Sequence, residues 1–233
     1  MSLRIAHADA ATHAGPVRPR NEDSLVERPE LGLWAVADGA GGHGAGDVAS
    51  QAVAAALEAL RPAADQVLPA TQAALLAVNA ALYADGRATR RTIATTVVAL
   101  VLGPRGADLL WAGDSRAYLL RDGRLQCLTR DHSLVQELLE AGEITEDEVE
   151  EHPQGNIILR AVGAEAELAL DLMHCPLRPG DRVLLCSDGL YRALPAARLT
   201  ALLASRDAAG LVAAALALHP RDNVTAVVLQ LTE

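Results

Sequence analysis

Carboxylates recur in this chain at or beside the ends of apolar runs. Asn21-Glu22-Asp23, Ala37-Asp38-Gly39, Gly113-Asp114-Ser115-Arg116, Ser187-Asp188-Gly189 and Arg221-Asp222-Asn223 are the segments concerned. The runs Leu33-Trp34-Ala35-Val36, Leu109-Leu110-Trp111 and Val183-Leu184-Leu185-Cys186 lead into three of them. They read as buried strands, so the acidic side chains sit where strands emerge into loops. Crowded carboxylates repel unless a cation lies among them. Oxygen ligands suit a hard ion such as Mg²⁺ or Mn²⁺, whereas Zn²⁺ calls for Cys or His. Two such ions about 3.5–4 Å apart, bridged by one Asp, form a clamp for hydrolytic displacement at phosphorus. A cation to grip the phosphate is also needed. Arg18 is the best candidate, since its planar fork can donate two parallel hydrogen bonds. Arg20 shares a face with Arg18 on an extended segment, and spacing alone leaves the two open.

The elements that have to carry these groups form a mixed pattern. Leu3–Ala8, Ser24–Glu27 and Leu31–Ala37 read as strands, and the Ala-rich stretches Gly44–Leu60 and Thr71–Tyr83 as helices, with Pro62 and Pro69 between them. A second β block covers Ile93–Leu102, Leu109–Ala112, Ala117–Arg121 and Leu125–Leu128. Asp122-Gly123 supplies the two positive-φ positions of a tight hairpin there. Arg182–Cys186 and Val224–Leu231 are the last strands, with helices at Ala196–Ala204 and Ala208–Leu218 between them. Strands in meanders and helices in pairs do not alternate as a doubly wound sheet does. The expected class is α+β: antiparallel sheets packed together with helices on their outer faces. Asp131–Gly163 differs in texture, with the acidic run Glu143–Glu151 and no evident strand. It reads as a helical insertion beside the site, and its charge run as a solvated face.

Composition narrows the chemistry. Half of the 233 residues are hydrophobic (51%), but Phe is absent, so the core has to be built from Ala, Leu and Val. Lys is absent too, which excludes a phosphate-loop Lys, a Schiff-base Lys and a Ser-Lys dyad. A net charge of -10 argues against nucleic acid or an anionic membrane as the main partner. Cys127, Cys175 and Cys186 show no metal-binding spacing and fit a reducing compartment. No signal peptide is evident, and the apolar stretches look far short of a membrane span. The expectation is a soluble, cytoplasmic, monomeric protein.

Gly39, Gly41 and Gly44 match the dinucleotide pattern G-x-G-x-x-G between a strand and a helix. A dinucleotide site also needs a second strand ending in an acid about twenty residues on. Here the chain is still in an Ala-rich helix around Glu58, and Asp38 would direct negative charge at the pyrophosphate. The alternative is that the glycines let the backbone wrap a metal held by Asp38, with the Gly39 carbonyl as a further ligand.

Gly15-x-x-Arg18-x-x-Asn21-Glu22-Asp23, Val36-Ala37-Asp38-Gly39-x-Gly41-Gly42, Ala94-Thr95-Thr96, Gly113-Asp114-Ser115-Arg116, Asp131-His132-Ser133-Leu134, Cys186-Ser187-Asp188-Gly189-Leu190 and Asp222-Asn223-Val224-Thr225 occur in that order. Together they resemble the metal-dependent protein phosphatases of the 2C type, in their compact bacterial form, over roughly residues 5–231. The resemblance implies one catalytic domain over 1–233, a four-layer α-β-β-α sandwich whose two antiparallel sheets are flanked by helix pairs. It implies hydrolysis of phosphoserine and phosphothreonine on proteins, reversing a separate Ser/Thr protein kinase. By position, Asp38 would bridge two Mn²⁺ or Mg²⁺ ions and Gly39 would lend its carbonyl. Asp188 and Asp222 would complete the first ion, while Glu22 and Asp23 would hold the second largely through waters. Arg18 would grip the substrate phosphate, and a third, weaker ion would fall to Asp114 with Asp188. The segment 131–163 would be a flap that affects substrate choice.

Two departures bear on proton transfer. Bacterial relatives usually carry Met where Ala40 stands, and eukaryotic relatives a proposed general-acid His. The leaving group's proton must then come from elsewhere, such as a metal-bound water or His43. Ser115 and Ser133 lack a His-Asp partner pattern for nucleophilic work. Arg116 is expected in a structural ion pair, and Cys186 in packing. The rival classes are a non-catalytic phosphoprotein-binding module and a two-metal hydrolase for another phosphate substrate. The first is disfavoured because such modules lose ligand carboxylates that this chain retains.

Overall fold

The computed structural model describes residues 4–40, 45–149 and 152–232. Two antiparallel sheets lie face to face. One contains β2 (Asp23–Arg28), β3 (Leu33–Ala40), β5 (Val97–Gly103), β6 (Gly106–Ala112) and β9 (Asp171–Cys175) in that order, with β4 (Ala94–Thr95) paired to the end of β3. The other runs β1 (Arg4–His13), β11 (Val224–Thr232), β10 (Arg182–Cys186), β7 (Arg116–Arg121) and β8 (Arg124–Cys127). Helices α1 (Gly46–Glu58) and α2 (Val67–Thr89) cover the first sheet. Helices α5 (Asp188–Ala193), α6 (Ala196–Leu203) and α7 (Ala208–Leu216) cover the second.

Strand alternation builds three cores from this arrangement. Leu33, Ala35 and Ala37 of β3, with Val97, Ala99 and Val101 of β5, face α1 and α2. Trp34, Val36, Val98 and Leu100 face the opposite way, against Val183, Leu185, Val227 and Leu229 of the second sheet. Leu184, Cys186, Ala226 and Val228 point outward to α5, α6 and α7. The result is the expected α-β-β-α sandwich. The same parity continues past the apolar run. Asp38 follows Trp34 and Val36 on the inter-sheet face, and Asp23 stands directly opposite Asp38 in the β2–β3 register.

Several expectations are corrected. The chain between Leu128 and Arg182 does hold a strand, β9, which pairs with β6 as an edge. Its Leu172 is exposed while Met173 and Cys175 pack on the inter-sheet core, and Asp171 and His174 interrupt the run, so apolar patterning over five residues does not reveal it. β1 runs on to His13 because β11 pairs with it along its length. A six-residue helix, α5, begins at Asp188. The segment 131–163 carries the short helices α3 (Leu134–Glu140) and α4 (Glu146–Val149), and bridges Ser133 to Ile158 and Thr95 to Val162. One helical stretch, against expectation, reaches the length of a membrane span. Ala64–Thr89 is long and apolar enough by length and composition. Within it α2 buries one stripe, Val67, Thr71, Leu75, Asn79, Leu82 and Gly86. Asn79 donates to the Glu165 and Ala166 carbonyls, and its Oδ1 accepts from the Gly163 amide.

Candidate active site

The backbone around Asp38 is held on both sides. Its amide donates to Thr96 Oγ1 at 3.1 Å, and its carbonyl accepts from the Thr96 amide and Thr95 Oγ1, both at 2.8 Å. Thr96 Oγ1 in turn shares a 2.7 Å hydrogen bond with Ser115 Oγ, linking the Asp38 strand to the Asp114 loop. Ser115 is therefore a bonding loop residue, as its lack of a base partner suggested. Gly39 packs against Gly46 at the start of α1. A Cβ on Gly39 would lie 2.4 Å from the Gly46 carbonyl oxygen and 2.6 Å from that of Glu22. A Cβ on Gly46 would stand 2.7 Å from the Gly39 carbonyl and 3.1 Å from Glu22 Oε2. Only bare backbone permits this approach, which brings the strand end, Glu22 and the helix start together.

Asp23 is a buried acid. Its Oδ2 accepts from Thr225 Oγ1 at 2.6 Å and Ser187 Oγ at 2.8 Å, while its Oδ1 is buried without a partner. Burial pushes Asp23 up to about 7, against those hydroxyl bonds and with the help of Asp188 and Asp222. Burial also raises Asp38 well above the ordinary carboxylate range, followed by repulsion from Asp23, Asp188, Asp114 and Asp222. Asp114 is pushed up to about 7 by burial, then by Asp188 and Asp131. Asp188 is raised by burial, with Arg192 opposing and Asp222 adding to the shift. Glu22 is raised too, by burial and then by Asp47. These carboxylates sense one another because the fold has brought them to one mouth of the inter-sheet layer.

The cationic partners separate Arg18 from Arg20. Arg18 Nη2 donates to Asp222 Oδ2 at 2.7 Å, whereas Arg20 turns to Asp47 at 3.6 Å. Arg18 is half exposed (51%), so its guanidinium reaches the cluster from the solvent side. Asn223 secures the loop that carries it. Its Nδ2 donates to the Ala14 and Arg20 carbonyls, and its Oδ1 accepts from the Glu22 amide at 2.8 Å. Arg116 forms the expected ion pair, with Nε and Nη2 on Asp131 at 2.8–3.1 Å, and lies 3.8 Å over the Tyr191 ring. Cys186 is fully buried in packing. His43, with Gly41, Gly42 and Gly44, lies outside the described residues.

Thus Glu22, Asp23, Asp38, Asp114, Asp188 and Asp222 are brought together, with Gly39 beside them and Arg18 at the rim. Sequence reasoning missed Ser187, Thr225, Asn223, Tyr191 and Arg192. Tyr191 Oη donates to the Asp114 carbonyl, and Arg192 Nε lies 3.1 Å from Asp188 Oδ2. The i to i+4 spacing of Asp188 and Arg192 was a legible signal once a helix is placed there.

These groups fit a hard divalent ion. The donors are oxygens only, their protons are held against the ordinary ionisation, and Asp23 Oδ1 is a buried acceptor without a donor. Among the described residues no three acidic, His or Cys side chains close around one point. The carboxylates border a shared space, which suits an ion that keeps several waters.

Several known proteins resemble this chain along most of its length. The family model described as protein phosphatase 2C matches residues 19–217. A serine/threonine phosphatase, stp, of Listeria innocua is 35% identical over 211 residues, 86% of this chain and 84% of its own. The structure of PppA, a key regulatory component of T6SS in Pseudomonas aeruginosa, superposes with a TM-score of 0.91 at 36% identity, covering 99% of this chain and 100% of that one. The catalytic domain of the phosphatase PstP, solved with two manganese ions, gives 0.86 at 37% identity, covering 100% and 99%.

Proposed function

The chain belongs to the protein phosphatase 2C family and is a protein-serine/threonine phosphatase, and we propose that it works with two divalent ions, Mn²⁺ or Mg²⁺, held by the carboxylates at the sheet edge. The observation that carries the reading is the mutual crowding of Asp38 with Asp23, Asp188, Asp114 and Asp222. Asp38 would be shared by the two ions, the Gly39 carbonyl, Asp188 and Asp222 would help hold one, and Glu22 and Asp23 would serve the other. A third, weaker ion would fall to Asp114 and Asp188. Bound ions supply positive charge that acidifies a water and neutralises the phosphate.

The protein's own residues do the positioning. Arg18 is held at the rim of the cluster by Asp222. It then turns its fork to the phosphate of a phosphoserine or phosphothreonine, gripping two oxygens at once. Thr95, Thr96 and Ser115 hold Asp38 in place, and Ser187 and Thr225 fix Asp23 through Oδ2, leaving its buried Oδ1 without a partner. Ala40 offers no proton, so the leaving oxygen has to be protonated from elsewhere, with His43 as the side-chain candidate. The segment 131–163 acts as a flap over substrates. The substrates are phosphoproteins modified by a separate Ser/Thr kinase, with no role for nucleic acid or membrane, and the protein works as a monomer in the cytoplasm. The free thiols of Cys127, Cys175 and Cys186 support that compartment.

The test is release of phosphate from a phosphothreonine peptide with and without Mn²⁺. Activity should require the ion and disappear with a chelator, and a phosphopeptide should be preferred to a nucleotide or a small aryl phosphate. Full turnover after exhaustive chelation would sink the metal reading.

A further inference from the structure

Arg192 stands where the acidic cluster meets the loop of residues 152–157. It lies on α5 four residues after Asp188, on the same helix face. Its Nε is 3.1 Å from Asp188 Oδ2, and its Nη2 is 3.6 Å from Asp114 Oδ2. The same Nη2 donates to the Gly155 carbonyl at 3.0 Å, and Nη1 donates to Asn156 Oδ1 at 2.5 Å. One guanidinium therefore spans two of the clustered carboxylates and the backbone and side chain of a loop more than thirty residues away in sequence. An exposed ion pair would contribute little. Here Asp114 is only 5% exposed, which makes the pairing a matter of buried charge.

We propose that Arg192 is a resident counter-charge that competes with a divalent ion for Asp114 and Asp188 and, while it does so, ties the Gly155–Asn156 loop to them. The proposal rests on Asp114 and Asp188 being ligands of an ion. A guanidinium and a divalent cation repel each other and seek the same oxygens, so the two cannot both be fully satisfied there. Once an ion takes those oxygens, Arg192 loses its charged partners. It retains a neutral carbonyl and a neutral amide, which hold more weakly. Ion binding and loop release are thus coupled, and coupling of this kind works in both directions. Arg192 acts as a positioning residue: its position sets how readily the last ion enters and whether the loop is held over the site.

The experiment combines calorimetric titration with Mn²⁺ and amide hydrogen exchange over residues 152–158, for the wild type, Arg192→Ala, Arg192→Lys and Asp114→Asn. In the wild type, exchange in the loop should be slow without Mn²⁺ and faster with it. Arg192→Ala should bind its weakest ion about tenfold more tightly, because a full charge has left the site. Its loop should exchange quickly with or without Mn²⁺. Arg192→Lys keeps the charge and loses the fork, so its weakest ion should bind within roughly threefold of wild type while its loop exchanges quickly. Unchanged Mn²⁺ binding in Arg192→Ala, or a loop indifferent to both variants, overturns the proposal. If Asp114→Asn removes no component of the wild-type titration, the ion assignment itself has failed, and that outcome is separate from failure of the Arg192 coupling.

Discussion

Asp38 is the residue on which most of the site converges, since four other acids raise its proton affinity and two threonines fix its backbone. Asp38→Asn keeps the shape and removes the charge, so it should lower metal-dependent turnover by roughly a hundredfold or more, with folding intact by circular dichroism. A variant with wild-type turnover would show that the bridge lies elsewhere. Arg18→Ala should act differently, raising KM more than it lowers kcat, because it removes a grip on phosphate already made in the ground state. A charged hydrogen bond contributes about 1.5–3 kcal/mol, so kcat/KM should fall roughly ten- to a hundredfold. An unchanged KM counts against Arg18. The carboxylates were legible in the sequence because each ends an apolar run or begins a strand. The choice between Arg18 and Arg20 was not, since their separation depends on Asp222 and Asp47 arriving from distant parts of the chain. Ser187 and Thr225 were hidden for the same reason: a hydroxyl's partner 164 or 202 residues away leaves no local pattern.

The elements contribute by close approach. The end of β3 and the first turn of α1 touch through Gly39 and Gly46, and Glu22 completes the contact. Gly46→Ala puts a methyl 2.7 Å from the Gly39 carbonyl, which backbone cannot yield to without moving. The expected cost is about 1–3 kcal/mol of stability. Urea unfolding should show it as a lower midpoint at unchanged slope, together with weaker Mn²⁺ binding as the ligand strand shifts. A midpoint equal to wild type would mean that α1 moves away freely. The strands of the inter-sheet layer were legible because both of their faces are buried, which leaves apolar runs such as Leu33–Ala37 and Arg182–Cys186. β9 and the distal half of β1 carry polar residues and owe their strand form to the neighbours that pair with them. α5 is too short for a helical period to show, although it holds Asp188, Tyr191 and Arg192.

At the scale of the whole molecule, gathering acids at one sheet edge costs stability that an ion should return. Asp23 and Asp114 are each pushed up to about 7 in the fold, chiefly by burial, whereas an unfolded chain ionises them near 3.9. Between those values the folded state holds protons that the unfolded state has released. Stability of the metal-free protein therefore falls as pH rises across that window and levels off above about 7. His132 works against this trend, because burial lowers its proton affinity, but it is a single group. Metal-free protein should then melt higher at pH 6 than at pH 8, by a few degrees, given about 1–2 kcal/mol and roughly 2–4 °C per kcal/mol for a chain of this size. Mn²⁺ replaces those protons, so it should stabilise most at pH 8, by about 2.7 kcal/mol at a hundredfold excess over its Kd. The order of melting temperatures between pH 6 and pH 8 should shrink or reverse once the ion is present. Thermal melts at both pH values, with chelator and with Mn²⁺, provide the measurement. A metal-free protein that melts higher at pH 8 than at pH 6 would show that the buried carboxylates carry no such strain. Without that strain, the sheet edge is not built to await a cation.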